Sequence, residues 1–190
     1  MRVITGTARG MKLNTLPGED VTRPTPEVVK EAVFSSIQFD IEGRTILDIF
    51  AGSGQMGIEA LSRGAEKATF VDSSRDATGI IAENLKKTGL YQRSNVLTMD
   101  WNQYLRSANG RYKFDYVFID PPYALGIPDK VACAVYDADL LKSTSLVICE
   151  DEHPIKDNVM IDARFETVKA VRYGRVHLTY LRPKELNDEE

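Results

Sequence analysis

Cysteine, histidine and tryptophan are scarce: the 190 residues include two Cys, two His and one Trp. Cys133 and Cys149 lie in apolar stretches and, with His153 and His177, offer no ligand spacing for zinc, so buried thiols and no metal are expected. No apolar run approaches the ~18 residues of a membrane helix, and Met1-Arg2-Val3-Ile4-Thr5-Gly6 lacks the apolar core of a signal peptide. A cytoplasmic chain with no membrane partner is the expectation. A strong charge of one sign is also missing. Net charge is −4, and four of the 28 acids stand in the tail 185–190, so the remaining 24 balance the 24 bases. The first eighteen residues hold Arg2, Arg9 and Lys12 and no acid, and Arg23 follows, which makes a small basic arm able to meet phosphates.

The composition that is present, 43% hydrophobic and 27% charged, is that of a globular protein of about one domain. Three of the eight prolines fall between Thr15 and Pro26, a linker or structured loop. Thr25-Pro26-Glu27 then reads as a helix start, with a hydroxyl cap, a proline at the first helical position and an acid in the first turn. Helical spacing of Val29, Val33 and Ile37 carries that helix through Phe39.

From Thr45 short β-branched runs alternate with helical segments. The runs are 45–50, 67–71, 95–99, 116–119 and 146–149; the helices are 57–63, stopped by Gly64, 74–88, stopped by Gly89, 102–107 and 130–141. This alternation implies βαβ units and a mainly parallel sheet covered on both faces. Runs 165–172 and 176–182 flank Tyr173-Gly174-Arg175 and predict a terminal antiparallel hairpin, for seven strands in all.

The first strand leads into Asp48-Ile49-Phe50-Ala51-Gly52-Ser53-Gly54-Gln55-Met56-Gly57, a G-x-G-x-x-G between strand and helix. Alone it fits a dinucleotide as well as other adenosine cofactors. Asp48, four residues before Gly52, would repel a pyrophosphate but suits the ammonium and sulfonium of S-adenosylmethionine. Asp72, twenty positions after Gly52, can accept the ribose hydroxyls of either cofactor class and does not choose between them. Asp100 could take the adenine amino group and Trp101 could cover the ring; a helix cap and a packed tryptophan are the alternatives.

The fourth strand ends in Asp120-Pro121-Pro122-Tyr123, at the strand end where open parallel sheets bind ligands. The prolines stiffen the turn that carries the acid and the ring. The tetrapeptide resembles the D/N-P-P-Y/F motif of nucleic-acid amino-methyltransferases, which implies an exocyclic amino group of a base as target, a poor nucleophile because its lone pair is delocalised into the ring. Asp120, with the Pro121 carbonyl, could accept its hydrogens, and Tyr123 could stack on an extruded base.

The tetrapeptide is joined by Asp48 to Gly54, which resembles the cofactor loop of class I methyltransferases. Together with Arg2 to Gly6, Arg9 to Leu13, Arg23-Pro24-Thr25 and Glu59 to Gly64, they make nearly the whole chain resemble the RsmD-type 16S ribosomal RNA guanine-N2 methyltransferases. The pair Ser73-Ser74 departs from the family, which usually carries charged or bulkier residues after the acid.

The resemblance implies a Rossmann-like class I α/β fold and S-adenosylmethionine at Asp48, Phe50, Gly52, Ser53, Gly54, Gly57, Asp72, Ser73, Asp100 and Trp101. It further implies catalysis at Asp120, Pro121, Pro122 and Tyr123, and 16S rRNA, within an assembling small subunit, met by Arg2, Arg9, Lys12, Arg23 and Thr25. The expected segments are an RNA-contacting arm and helix at 1–44, the methyltransferase domain at 45–184 and an acidic tail at 185–190. A DNA adenine-N6 methyltransferase shares the tetrapeptide, but its usual target-recognition domain has no room here. A nicotinamide oxidoreductase would lack the tetrapeptide, and a noncatalytic RNA-binding module would need neither Asp48 nor Asp120.

Overall fold

The run Thr45–Ile49 forms strand β1, buried from Ile46 onward on both sides, as the near-continuous apolar sequence of a covered parallel strand requires. The structure, a computed structural model, describes residues 1–16, 26–155 and 158–184. Arg23, Thr25 and the acidic tail therefore lie outside the described residues. After helix α1 (Pro26–Ile37) and β1 come α2 (Gln55–Ser62), β2 (Lys67–Asp72), α3 (Arg75–Lys87), β3 (Ser94–Thr98) and α4 (Trp101–Ala108). They are followed by β4 (Phe114–Ile119), α5 (Pro128–Asp137), β5 (Leu141–Asp151), α6 (Val159–Arg164), β6 (Phe165–Tyr173) and β7 (Val176–Pro183).

The seven strands make one mixed sheet in the order β3-β2-β1-β4-β5-β7-β6. β1 pairs parallel with β2, β2 with β3 and β4 with β5, whereas β7 runs antiparallel to β5 and β6. This is the Rossmann-like class I methyltransferase architecture, closed by a hairpin turning at Gly174-Arg175. Edge strand β6 is mostly exposed and carries Glu166, Lys169 and Arg172, charges that discourage pairing with another chain. Contacts divide the chain into two compact units, Met1–Tyr104 and Leu105–Glu190. The N-terminal arm and α1 thus share a unit with the glycine loop.

Local chemistry fixes the boundaries. Ser74 caps α3 by accepting from the Ala77 amide at 3.2 Å, and Asp76 in the first turn and Lys86 and Lys87 in the last suit the helix dipole. The first helix ends at Ile37 rather than Phe39, β4 starts at Phe114 rather than Tyr116, and α6 was not expected, but α5 and β5 depart furthest from expectation. α5 spans 128–137 rather than 130–141, because Asp139 adopts a left-handed φ of 55° that a short polar side chain tolerates, and Leu141 already starts β5. The polar stretch Lys142 to Ser145 hides the start of β5. There Ser145 Oγ donates to the Phe114 carbonyl (2.6 Å) and accepts from the Lys142 amide (2.7 Å), supporting a register shift opposite Phe114 and Tyr116. Cys133 and Cys149 are both buried, and burial pushes both thiols above their usual range.

Candidate active site: a glycine loop, a proline-stiffened acid and a docked arm

At the end of β1 the chain turns sharply through Phe50, which holds φ 63° although it is not glycine. Such a conformation costs about 1–3 kcal/mol and persists only where its surroundings enforce it. Here the Phe50 and Ala51 amides both donate to the Val71 carbonyl, at 3.0 and 3.2 Å. The Gly52 amide donates to Asp72 Oδ2 (2.9 Å), and the Gly54 amide returns to the Ala51 carbonyl (2.7 Å). Gly54 takes φ 78° as the residue before α2 and supplies no side-chain cap. Asp48 receives a first-turn amide in its place. Its side chain is 3% exposed, and Oδ2 accepts from the Gly57 amide at 2.9 Å. Gly57 is dictated by packing, since a Cβ there would stand 2.3 Å from Cε1 of Phe70.

The second acid, Asp72, ends β2 half-buried and accepts from Gly52 through Oδ2 and from the Ser74 amide through Oδ1 at 2.9 Å. One such bond on each carboxylate oxygen leaves lone pairs for further donors. Ser73 beside it is exposed. Asp100 is exposed, and its Oδ1 caps α4 through the Asn102 and Gln103 amides, at 2.9 and 3.4 Å. Trp101 is half-buried, its ring tilted 48° to that of Phe50 with centroids 6.5 Å apart. The structure thus gathers Phe50, Gly52, Ser53 and Gly54 into one turn, ties it to Asp72 at the end of β2 and sets Trp101 against its first residue. Gln55, which the sequence did not single out, opens α2 with its Oε1 buried and unpartnered.

In the second unit, β4 is buried throughout and delivers Asp120 at its carboxyl end, half-buried with Oδ1 away from solvent. Pro121 is buried and Pro122 exposed; the Leu125 amide donates to the Pro122 carbonyl (2.9 Å) and closes a short turn over Tyr123–Leu125. The ring of Tyr123 lies outside the described atoms.

The arm is an ordered piece of the first unit. Arg2 and Lys12 form an antiparallel bridge, and the Val3 and Gly10 amides pair with the Met11 and Val3 carbonyls at 3.0 and 2.8 Å. Its dock is α2. Glu59, 0% exposed, accepts from the Ile4 (2.7 Å) and Thr5 (3.0 Å) amides and from Arg63 Nε (2.8 Å). Lys30 Nζ lies 3.6 Å from Glu59 and donates to the Arg2 carbonyl at 2.7 Å; burial, opposed by Glu59, holds its pKa below the usual lysine range. Ser62 Oγ donates to the Thr5 carbonyl (2.6 Å) and accepts from the Ala8 amide (3.0 Å). Gly6, at φ +88°, passes so close that a Cβ would fall 1.8 Å from the Ser62 carbonyl oxygen. Arg2, Arg9 and Lys12 stay exposed, Arg2 in an ion pair with Glu27 at 3.4 Å. In the sequence Glu59 stood out only as the start of a family-like stretch, and neither it nor Lys30 had a role, although a Glu inside an otherwise apolar helical run, Ile58 to Leu61, was the available signal.

Comparison with known proteins agrees with this architecture. The family model described as "Conserved hypothetical protein 95" matches residues 1–182. A candidate rRNA methyltransferase of Bacillus subtilis is 35% identical over 157 residues, covering 82% of this chain and 85% of its own. The ribosomal RNA small subunit methyltransferase D of Haemophilus influenzae is 33% identical over 162 residues, covering 85% of this chain and 82% of its own. Among solved structures, a candidate methyltransferase from Escherichia coli superposes with a TM-score of 0.83 at 29% identity, covering 97% of this chain and 98% of that one. With the glycine loop, the tetrapeptide and the basic N-terminus all present, the chain belongs to the RsmD family of ribosomal RNA small subunit methyltransferases.

Proposed function

We propose that the protein transfers a methyl group from S-adenosylmethionine to the exocyclic N2 of a guanine in small-subunit ribosomal RNA. The observation that carries the reading is Asp120 on its proline turn at the carboxyl end of β4, in a chain whose β1 and β2 end in an adenosine-type loop and an acid. S-adenosylmethionine supplies an electrophilic methyl on a sulfonium. The residues present fit it better than a dinucleotide, because the buried Asp48 carboxylate beneath the loop favours a cation over a pyrophosphate. Asp72 has lone pairs left for ribose hydroxyls, and Phe50 and Trp101 offer apolar surface to the adenine.

Asp120 accepts N–H hydrogens of the guanine amino group, drawing its lone pair out of the ring. With the donor held by the glycine loop and Asp72, the amino group held at Asp120 would receive the methyl that the sulfonium supplies, and its surplus N2 proton would pass to solvent. Most of the acceleration comes from proximity and in-line alignment. Arg9 and Lys12, with Arg2, meet RNA phosphates, and Arg23 and Thr25 belong to the same substrate-binding stretch. The substrate is 16S rRNA within an assembling subunit, handled in the cytoplasm.

The test is transfer from methyl-labelled S-adenosylmethionine to unmodified small-subunit RNA and to immature particles, followed by digestion to nucleosides. N2-methylguanosine is the expected product. Label recovered in N6-methyladenosine would overturn the guanine reading, and loss of transfer on particles relative to naked RNA would overturn the particle as substrate.

A further inference from the structure

We propose that Asn84 is a positioning residue that ties the cofactor loop to the N-terminal arm, so that filling the loop further quiets the docked arm. Asn84 is 0% exposed on α3, and its amide serves two distant backbones at once. Nδ2 donates to the Ser53 carbonyl at 3.0 Å and to the Asn14 carbonyl at 2.9 Å, while Oδ1 accepts from the Asn14 amide at 2.8 Å. Both hydrogens and the acceptor of one side chain are thereby committed to segments 31 and 70 residues away. The helix has no need of this group. A buried amide is costly unless satisfied, and an apolar side chain would fill the same interior without that cost.

What the amide joins gives it meaning. Ser53 lies between Gly52 and Gly54 of the loop, and Asn14 stands at the end of the arm whose Arg2, Arg9 and Lys12 are exposed. A second contact runs in parallel, from Ser53 Oγ to the Met1 sulfur at 3.8 Å. A ligand that quiets the loop backbone reduces the motion of the Ser53 carbonyl, and through the rigid planar amide that of Asn14. The remaining motion of the docked arm falls accordingly, and coupling of this kind is reciprocal.

The inference rests on the S-adenosylmethionine reading, and its test needs neither RNA nor activity. Amide hydrogen exchange is measured on the full chain with and without S-adenosylhomocysteine. The ligand is expected to slow exchange at Gly52, Gly54 and Gly57, and to slow the Val3, Gly10, Leu13 and Asn14 amides about tenfold, within the usual 5- to 150-fold range of coupling. In Asn84→Ala the loop amides stay protected by ligand and the ligand-dependent protection of the arm disappears. Asn84→Leu, which keeps the volume, should do the same. A merely structural role would lower arm protection equally with and without ligand. The wild-type chain is decisive by itself: protection of the loop without the arm overturns the inference while leaving the cofactor reading intact, and absence of protection at the loop overturns both. Arm protection that persists in either variant also overturns it.

Discussion

The two compact units bury polar side chains for different ends. In Met1–Tyr104 the buried polar residues include Lys30, Asp48, Glu59, Ser62 and Asn84, and most of their partners are main-chain groups of the arm or the glycine loop. Among the described residues of Leu105–Glu190 they are Asp115, Ser145, Asp151 and Thr179, which sit on strands; Ser145 closes a bulge, Asp115 pairs with Lys142, and Asp151 caps the turn after β5. The difference follows from backbone accounting. Strand ladders satisfy their own amides and carbonyls, whereas residues 1–16 and 50–54 follow irregular paths whose N–H and C=O groups need side chains. Strand pairing is common to both units, and what sets the first apart is that a few polar clamps hold its irregular segments.

Removing one clamp should expose that asymmetry most strongly. Glu59→Ala leaves the Ile4 and Thr5 amides without their acceptor and strips Lys30 of its buried counter-charge, which should cost about 3–5 kcal/mol. Ser145→Ala in the second unit removes only the bulge hydroxyl and should cost about 1–3 kcal/mol. Urea unfolding of both variants checks the order; equal losses would mean that the two units are held in the same way.

In the proposed reading Asp120 is the exception in the second unit, a polar group that serves chemistry rather than the fold. Asp120→Ala should lower kcat by about 10²–10³, the loss typical of removing one preorganised polar partner of a reacting group, with S-adenosylmethionine affinity and Tm close to wild type. Single-turnover methylation at the wild-type rate would show that the tetrapeptide is not the catalytic site, and a large fall in Tm would return Asp120 to the structural side of the comparison.

The same division decides what could be read in advance. The strands and the order of elements were legible, because buried parallel strands require β-branched runs and the helices end at Gly64 and Gly89. The start of β5 was not, since Lys142 to Ser145 show no alternation, and α6 is too short to show a period. The glycine loop, Asp72 and Asp120 were legible as strand-end residues. What Asp48 faces was not: a carboxylate at a strand end announces itself, but its Oδ2 bond to Gly57 is set by three-dimensional proximity. The docking of the arm was equally hidden, because Glu59 and Asn84 lie 54 to 70 residues from the amides they receive.

A pH titration sharpens the picture of the Glu59 hub. The folded pKa of Lys30 lies below 10.5, with burial lowering it more than Glu59 raises it. Between that lowered value and 10.5 the unfolded chain binds more protons than the folded one, so the contribution of Lys30 to stability rises with pH, by at most about 1.4 kcal/mol per pH unit. Below the lowered value both states are protonated and the slope vanishes. The difference in unfolding free energy between wild type and Lys30→Met should shift in favour of wild type as pH rises toward 10.5. Parallel curves would mean that Glu59 keeps Lys30 charged in the folded chain across the whole window.

The smallest expected effect separates the arm's docking from its proposed contact with RNA, since its apolar and main-chain side is spent on docking and its cations face solvent. Each phosphate contact contributes roughly 0.7 for a single strand to 0.9 for a duplex to the slope of log affinity against log salt. Arg9→Ala and Lys12→Ala should each lower the slope by about that amount. Arg2→Ala should lower it less, because Arg2 already holds Glu27 at 3.4 Å and must exchange a carboxylate for a phosphate. Hydrogen exchange of the Val3 and Gly10 amides should be unchanged in all three, because their partners are main-chain carbonyls. If replacing all three cations leaves the slope unchanged while RNA still binds, the arm takes no phosphate, and its clamping by Glu59 and Ser62 is an end in itself.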